Sequence, residues 1–489
     1  MTSHYLAVDL GAESGRVMLG TLVEDVLTFE EIHRFPNGIV VRGEGLFWDL
    51  AHLEKEILAG FDKAGRRNLP VSGISTDSWA LDYVLLDVEG NSLVESRCYR
   101  DPRNAESLPR VLKKLPFADL YAETGIQLLA INTLFQLEVA KHDDADLFFR
   151  AHHLLLIADY FNHRFSGVSV CDQSLASTTQ LYNPQRQAWS KKIISTLGLP
   201  EAVFPQIVPS GTVLGPVIES LRQNKSLADA KVIATCSHDT GAAIAALPIM
   251  SKADWAYISS GTWSLLGTEL VSPVMTEAAR EAGFTNEVGW GGAIRFLKNI
   301  VGLWIVQECC RSWQAAGHSY SYDELTQLAQ AAGPAAAHIN VNDPRFVSPG
   351  QMPEKIATFC RDMNQPMPES PGQIIRTVLE SLALFYARTL AQLEEVTGRK
   401  FAVLHIVGGG SRNDLLNQLT ANATGITVVA GPVEATAIGN ILIQALALGH
   451  IESADHLRSI VAASFPTRLW KPAQGFSAAV KTRFSQLFN

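Results

Sequence analysis

The stretch Cys236-Ser237-His238-Asp239-Thr240-Gly241 joins a predicted strand to a predicted helix. Residues 231–235 (KVIAT) precede this stretch. They are mostly apolar or β-branched and predict a buried strand. The alanine-rich residues after the stretch favour a helix. Open α/β sheets bind ligands at the carboxyl edge of their strands, where this stretch would lie. Asp239 is therefore a candidate general base, beside free backbone N–H groups that suit an anion. A simple cap or turn residue is the alternative interpretation.

Composition limits the class of protein. The chain has 489 residues, a length that predicts two domains. Its composition, with 47% hydrophobic and 18% charged residues, is typical of a well-packed globular protein. Its net charge of −9, without a long basic run, argues against nucleic acid as a partner. We find no signal peptide, no apolar run of about 18 residues that would span a membrane, and no C-x-x-C pair among the six cysteines. These features predict a cytoplasmic protein with free thiols.

A β-hairpin is predicted at the N-terminus. An apolar strand at residues 5–8 ends at Asp9, and residues 16–20 return as a second strand. The small residues between them leave backbone N–H groups and the Ser14 hydroxyl free to meet a phosphate. Asp9 is a candidate ligand of a metal ion through water. An ordinary hairpin with a capping aspartate is the alternative, and a P-loop is excluded because its lysine is missing.

A second hairpin follows a polar break at residues 251–254, where we place the boundary between a domain of residues 1–248 and a domain of residues 249–489. Strands are predicted at 255–258 and 263–266, around a turn at 259–262 that contains glycine. The second half therefore opens with the same arrangement as the first. Two such hairpins would hold a polyphosphate from both sides.

Three other segments carry candidate binding residues. A turn with Trp79 and nearby carboxylates, at residues 76–82, suits a sugar, although a structural turn is an equal alternative. Residues 296–307 predict a helix that carries Asn299 and Gln307 on one face. A strand at 403–407 leads into three glycines, 408–410, whose backbone can approach a flat ring or a phosphate. A Rossmann fingerprint fails here, because Asn413 stands where its last glycine would fall.

Five stretches, in this order along the chain, together resemble the FGGY carbohydrate kinases. They are residues 9–16 (DLGAESGR), 237–240 (SHDT), 259–264 (SSGTWS), 408–410 (GGG) and 431–440 (GPVEATAIGN). The resemblance extends from about residue 5 to about residue 446. It implies an α/β fold of two ribonuclease-H-like domains of the actin/Hsp70/sugar-kinase type, which close on a central cleft.

The resemblance also implies ATP-dependent phosphorylation of a free ketose, most closely L-rhamnulose to its 1-phosphate, with Asp239 as the base and Mg²⁺ at the phosphates of ATP. The residues implied to bind the sugar are Ala80, His238, Asp239, Thr240 and Asn299. Those implied to bind ATP are Ala12, Glu13, Ser14, Gly15, Arg16, Thr262, Gln307 and Gly409. Phosphoryl transfer agrees with this set, because it depends on positioning and charge neutralisation.

This chain departs from the family pattern at two places. Ala80 stands where the family often has glycine, and its methyl group would narrow the sugar site. Thr420 and Thr424 stand where some relatives carry a cysteine pair, so no disulfide is expected there. The alternative functions are a kinase for another ketose, such as L-fuculose or D-xylulose, and a non-catalytic ATPase of the same fold. The sequence leaves open whether the protein is a monomer or a dimer.

Overall fold

A computed structural model of the protein describes residues 2–249 and 254–488. Its strands are β1 (Thr2–Leu10), β2 (Ser14–Val23), β3 (Val26–Pro36), β4 (Ile39–Arg42), β5 (Gly45–Trp48), β6 (Val71–Ser78), β7 (Tyr83–Leu86), β8 (His153–Leu156), β9 (Cys171–Asp172), β10 (Tyr182–Asn183), β11 (Ala188–Trp189), β12 (Ile207–Val208), β13 (Thr212–Pro216), β14 (Lys231–Ala234), β15 (Trp255–Ser260), β16 (Trp263–Leu270), β17 (Thr285–Val288), β18 (Ile294–Val301), β19 (Val403–Val407), β20 (Thr427–Ala430) and β21 (Arg468–Trp470).

The α-helices lie between and after these strands. They are α1 (Leu50–Gly65), α2 (Asn104–Lys114), α3 (Phe117–Thr124), α4 (Thr133–Asp143), α5 (Leu147–Arg150), α6 (Ile157–Ser166), α7 (Gln173–Thr178), α8 (Lys191–Leu197), α9 (Glu219–Arg222), α10 (Asp239–Ala245), α11 (Glu277–Glu281), α12 (Trp304–Ala315), α13 (Tyr322–Ala331), α14 (Met352–Asp362), α15 (Pro371–Thr397), α16 (Asp414–Thr424), α17 (Ala435–Ala447), α18 (Ala454–Ser464) and α19 (Ala478–Ser485).

The first of two compact units comprises Met1–Met250, Glu269–Phe296 and Ala435–Phe465. Its six-stranded sheet has the order β13-β14-β6-β1-β2-β3. Strand β1 is antiparallel to β2 and parallel to β6, and β6 is parallel to β14. The carboxyl ends of β1, β6 and β14 therefore meet at one edge of the sheet, where an open α/β sheet binds its ligands.

The second unit comprises Ser251–Thr268, Leu297–Glu434 and Pro466–Asn489. Six strands in its sheet have the order β18-β16-β15-β19-β20-β21. Strand β15 is antiparallel to β16 and parallel to β19, and β19 is parallel to β20. These six strands match the six strands of the first sheet when the first sheet is read in the opposite direction, from β3 to β13. The structure thus confirms the predicted α/β class and the similar arrangement in the two halves.

Local sequence patterns explain these elements. Leu6, Val8, Val17 and Leu19 alternate along β1 and β2 and are buried in one apolar core, as the period of two in a strand requires. Helix α15 begins with a capping box in which Ser370 and Gln373 satisfy each other's backbone N–H groups. Both predicted hairpins are present, as is the strand-to-helix junction that precedes Asp239.

The predicted helix over residues 296–307 is wrong. Residues 294–301 form strand β18, and helix α12 begins only at Trp304. Asn299 therefore lies on a strand and Gln307 on a helix, so they do not share a helix face. Gly302 lies between the two elements. Glycine is needed there, because a Cβ would lie 2.7 Å from the backbone carbonyl carbon of Trp263. An apolar run of this length fits a buried strand as well as a helix.

Of the polar break at residues 251–254, which suggested a domain boundary, residues 251–253 lie outside the described part of the chain. The division at residue 248 stays a prediction. Within residues 2–249 and 254–488, no helix is long and apolar enough to cross a membrane.

Candidate functional site

The turn that carries Asp239 lies at the shared carboxyl edge of the first sheet. Strand β14 ends at Ala234, and helix α10 begins at Asp239. The backbone N–H of Ser78, at the end of β6, donates to the carbonyl oxygen of Ser237 at 2.9 Å. This hydrogen bond attaches the turn to the neighbouring strand, at the carboxyl edge that the sequence predicts for it.

Asp239 combines partial exposure with a raised pKa. Its carboxylate oxygen Oδ1 accepts hydrogen bonds from the backbone N–H of Thr240 and, at 3.1 Å, from the Thr240 hydroxyl. The side chain is 32% exposed, so a substrate can reach it. Desolvation, assisted by the negative charge of Asp9, raises the pKa of Asp239 to about 7, against the opposing effects of Thr240 and Arg295. A carboxylate with this pKa is suited to act as a general base near neutral pH.

Asp172 supports the turn from a segment that carries none of the residues predicted from the sequence. Its Oδ1 accepts hydrogen bonds from the backbone N–H groups of Ser174 at 3.0 Å and Ser237 at 3.1 Å. The hydroxyl of Ser174 then accepts the backbone N–H of His238 at 3.0 Å. Asp172 is fully buried, and it caps helix α7 while it orients the two residues that precede Asp239. No local signal in the sequence connects residues so far apart.

His238 lies beside the candidate base and is almost fully buried. Its Nε2 is 3.4 Å from Oδ1 of Asp239, and its Nδ1 is 2.8 Å from Nη2 of Arg295. Burial, together with the positive charge of Arg295, holds the pKa of His238 well below its usual range. His238 is therefore a neutral imidazole, which can both donate and accept a hydrogen bond.

The N-terminal hairpin has an open, ordered tip. Strands β1 and β2 are joined by residues 11–13, and the side-chain amide of Asn37 donates to the carbonyl oxygen of Gly11 at 2.7 Å. Gly15 packs against the ring of Phe35, where a Cβ would come within 2.2 Å of a ring carbon. Arg16 forms an ion pair with Asp9 across the two strands. Ala12 and Ser14 are half-buried and Glu13 is exposed, so the tip remains accessible to a ligand.

Carboxylates cluster at the same edge of the sheet. Asp77 is opposite Asp9 in the register of β1 and β6. Burial raises the pKa of Asp77 well above its usual range, and the negative charges of Asp9 and Asp239 add to the effect. Asn440 donates to Oδ2 of Asp77 at 2.6 Å, whereas Oδ1 is buried without a hydrogen-bond partner among the described residues. This cluster of carboxyl groups fits a nearby cation, although residues 2–249 and 254–488 hold no group of three or more candidate metal ligands.

The predicted sugar turn is built around a buried carboxylate. Oδ2 of Asp82 accepts the indole N–H groups of Trp48, at 2.5 Å, and Trp79, at 3.0 Å, and Oδ1 accepts the amide of Gln136 at 3.0 Å. Burial raises the pKa of Asp82 to about 7 against these hydrogen bonds. Asp82 thus fixes the turn from inside, and the half-buried Ala80 lies between Trp79 and Asp82 in the chain.

In the second unit, two predicted ATP-binding residues are in contact. The hydroxyl of Thr262 donates to the side-chain oxygen of Gln307 at 3.3 Å. The carbonyl oxygen of Thr262 accepts the backbone N–H groups of Gly302 and Trp304, each at 3.1 Å. The tip of the second hairpin is therefore held by the segment that joins β18 to α12. Asn299, two residues before the end of β18, is half-buried.

The three glycines at residues 408–410 differ in their surroundings. Gly408 has a φ of +82°, and a Cβ there would lie 2.8 Å from the carbonyl oxygen of Ser260. A Cβ on Gly410 would come within 2.0 Å of the Ser260 hydroxyl. A Cβ on Gly409 would meet no atom of the described chain within 4 Å. The outer glycines are needed for packing, and the middle one leaves space for a ligand.

Comparisons with known proteins agree with this description. The model for the N-terminal domain of the FGGY family of carbohydrate kinases matches residues 5–246, and the model for its C-terminal domain matches residues 256–448. A rhamnulokinase of Enterococcus faecalis is 41% identical over 483 residues, 98% of this chain and 96% of the relative. A rhamnulokinase of Enterobacter is 40% identical, over 96% of this chain and 94% of the relative.

Solved structures share the fold at low sequence identity. Ligand-bound xylulose kinase from Lactobacillus acidophilus has a TM-score of 0.79 and 15% identity, and covers 99% of this chain and 96% of its own. Plasmodium falciparum glycerol kinase with ADP has a TM-score of 0.78 and 12% identity, and covers 100% of this chain and 97% of its own. The chain belongs to the FGGY family of carbohydrate kinases and has the two-domain α/β fold of sugar kinases.

Proposed function

We propose that this carbohydrate kinase transfers the γ-phosphoryl group of ATP to L-rhamnulose and gives L-rhamnulose 1-phosphate, with Asp239 as the general base. The observation that carries the proposal is the state of Asp239, which is 32% exposed and has a pKa raised to about 7, mainly by burial. Two relatives that are 41% and 40% identical to this chain are rhamnulokinases, which supports L-rhamnulose as the sugar.

Asp239 would remove the proton from the attacking hydroxyl as its oxygen approaches the γ-phosphorus. The hydrogen bonds of Thr240 engage Oδ1. They hold the carboxylate in one orientation, which supports Oδ2 as the atom that accepts the proton. His238, Thr240, the backbone of Ala80 and Asn299 would bind the other hydroxyl groups, since each offers a donor, an acceptor or both.

The nucleotide would be held mainly by backbone N–H groups and neutral side chains. The proposed residues are Ala12, Glu13, Ser14, Gly15 and Arg16 on the first hairpin, with Thr262, Gln307 and Gly409 from the second unit. Mg²⁺, when bound with ATP, neutralises charge on the transferred group. Asp9 would contact the ion through water, a role supported by its position beside the hairpin tip and by the neighbouring carboxyl group of Asp77, whose raised pKa a cation would lower.

The finer features of the protein follow from the same proposal. A domain of residues 1–248 would carry the sugar site, the base and the phosphate hairpin, and a domain of residues 249–489 would complete the ATP site. Closure would exclude water and limit idle hydrolysis of ATP. Its partners would be a small ketose and ATP, without nucleic acid or membrane. We propose a cytoplasmic location, where ATP is available.

The test is ADP release by the purified protein with Mg·ATP and a panel of L-rhamnulose, L-fuculose, L-ribulose, D-xylulose and glycerol. We expect kcat/KM for L-rhamnulose to exceed the others at least tenfold. A higher value for another ketose would replace the proposed substrate and leave the kinase assignment in place. ADP release that no sugar stimulates would favour a non-catalytic ATPase of the same fold.

A further inference from the structure

A buried charge network lies behind His238 on the side away from Asp239. Arg295, on β18, is 0% exposed. Its Nη2 lies 2.8 Å from Nδ1 of His238 and 3.0 Å from Oε2 of Glu287 on β17. One guanidinium nitrogen therefore joins the histidine ring to a buried carboxylate.

The space for this network is built into the chain. A Cβ on Gly289 would lie 3.1 Å from Cγ of Arg295, and one on Gly241 would lie 3.6 Å from its Nε. Glycine at position 289 leaves room for the aliphatic part of the Arg295 side chain, whereas the distance at position 241 is an ordinary van der Waals contact. Since a buried arginine requires a partner for its charge, Glu287 stabilises Arg295 where it lies.

The contact with Arg295 decides which ring nitrogen of His238 carries a proton. A guanidinium has only donors and stays charged, so Nδ1 of His238 must accept the hydrogen bond. In a neutral imidazole, the proton then lies on Nε2. This Nε2 is the atom 3.4 Å from Oδ1 of Asp239.

We propose that Arg295, held by Glu287, is a positioning residue that keeps His238 in the neutral Nε2–H tautomer and so presents an N–H donor to the sugar beside Asp239. The inference rests on the proposed function for the identity of the sugar. It assigns to Arg295 and Glu287 a role in substrate orientation, although neither residue needs to touch the substrate.

Loss of Arg295 would expose His238 to a competing partner. Oε2 of Glu287 lies 3.4 Å from Nδ1 of His238. Without the guanidinium, this carboxylate would attract a proton to Nδ1. The ring would then become an imidazolium or the opposite tautomer, in which Nε2 accepts a hydrogen bond and no longer donates one.

The direct test is the ¹⁵N NMR spectrum of histidine-labelled protein without substrate, in which the His238 signals are identified by their loss in His238→Gln. We expect the Nε2–H tautomer in the native protein. In the double variant Arg295→Met/Glu287→Met, which removes both charges together and so leaves no unpaired buried ion, we expect mixed tautomers. Glu287→Gln, which keeps the guanidinium, should retain the native tautomer.

Kinetics provide the second readout. The double variant should lower kcat/KM for the sugar about 10- to 100-fold with KM for ATP unchanged, and Arg295→Lys, which keeps a charged donor, should recover part of the loss.

A native Nδ1–H tautomer would overturn the inference, as would unchanged tautomer and kinetics in the double variant. Because the spectrum requires no sugar, a different preferred ketose would refute the proposed substrate without affecting this result. If the double variant does not fold, Arg295→Lys and Glu287→Gln decide by the same spectrum, and an Nδ1–H tautomer in either overturns the inference.

Discussion

Asp172 accepts a hydrogen bond from the backbone N–H of Ser237 at 3.1 Å, although the two residues are 65 positions apart in the chain. Through this contact, a buried carboxylate in one segment sets the path of the turn that ends at Asp239. The position of the base therefore depends on a residue that need not contact the substrate.

We predict that Asp172→Ala lowers the free energy of unfolding by about 2–4 kcal/mol, because it leaves the backbone N–H groups of Ser174 and Ser237 without their acceptor in a buried site. It should also lower kcat. Urea denaturation and steady-state kinetics measure the two effects. Ser210→Ala is the matched control, since it removes only one hydrogen bond, of 2.9 Å, from the same carboxylate. Equal effects of the two variants would contradict the role assigned to Asp172.

Replacement of the proposed base should stop the reaction without preventing nucleotide binding. We expect Asp239→Asn to lower kcat at least about 100-fold, since its amide cannot take up the proton, with the Kd for ATP within a factor of about three by calorimetry. Glu219→Gln removes a carboxylate that is 86% exposed and should behave as the native protein. A normal kcat in Asp239→Asn would refute the assignment of the base.

The raised pKa of Asp239 has consequences of opposite sign for activity and stability. Its value of about 7 predicts that kcat/KM for the sugar falls tenfold per pH unit below 7 and is level above it. Because the folded-state pKa lies above the ordinary value, the stability contributed by Asp239 is lost as pH rises through 7. As pH rises from 5 to 8, the melting temperature of Asp239→Asn should therefore increase relative to that of the native protein. A level rate profile down to pH 5 would contradict the first expectation.

Substitution of the middle glycine of residues 408–410 should weaken ATP binding and leave the stability of the fold unchanged. Gly409→Ala introduces a methyl group into open space. We expect it to raise KM for ATP about tenfold with the melting temperature unchanged. Gly408→Ala is the contrasting control, because its φ of +82° and its approach to Ser260 should lower the melting temperature by several degrees. Unchanged KM for ATP in Gly409→Ala would remove this residue from the proposed nucleotide site.

Local patterns were enough to predict the two hairpins, the junction before Asp239 and the glycine loop, because each depends on neighbouring residues. The strand that carries Asn299 was predicted as a helix, since a buried apolar run has no clear period. The roles of Asp172 and Arg295 could not be predicted, because their partners are distant in sequence and the fold alone brings them together. The contact between Thr262 and Gln307 is of the same kind.

The matching strand order of the two sheets allows equivalent positions to be compared, and they differ in charge. The first sheet pairs Asp9 with Asp77 near its carboxyl edge, whereas the second pairs Ser259 with Val407. The first edge thus holds two carboxyl groups at a position where the second edge holds none. Because burial and the charges of Asp9 and Asp239 raise the pKa of Asp77, a cation bound at the first edge would lower that pKa and be stabilised in return.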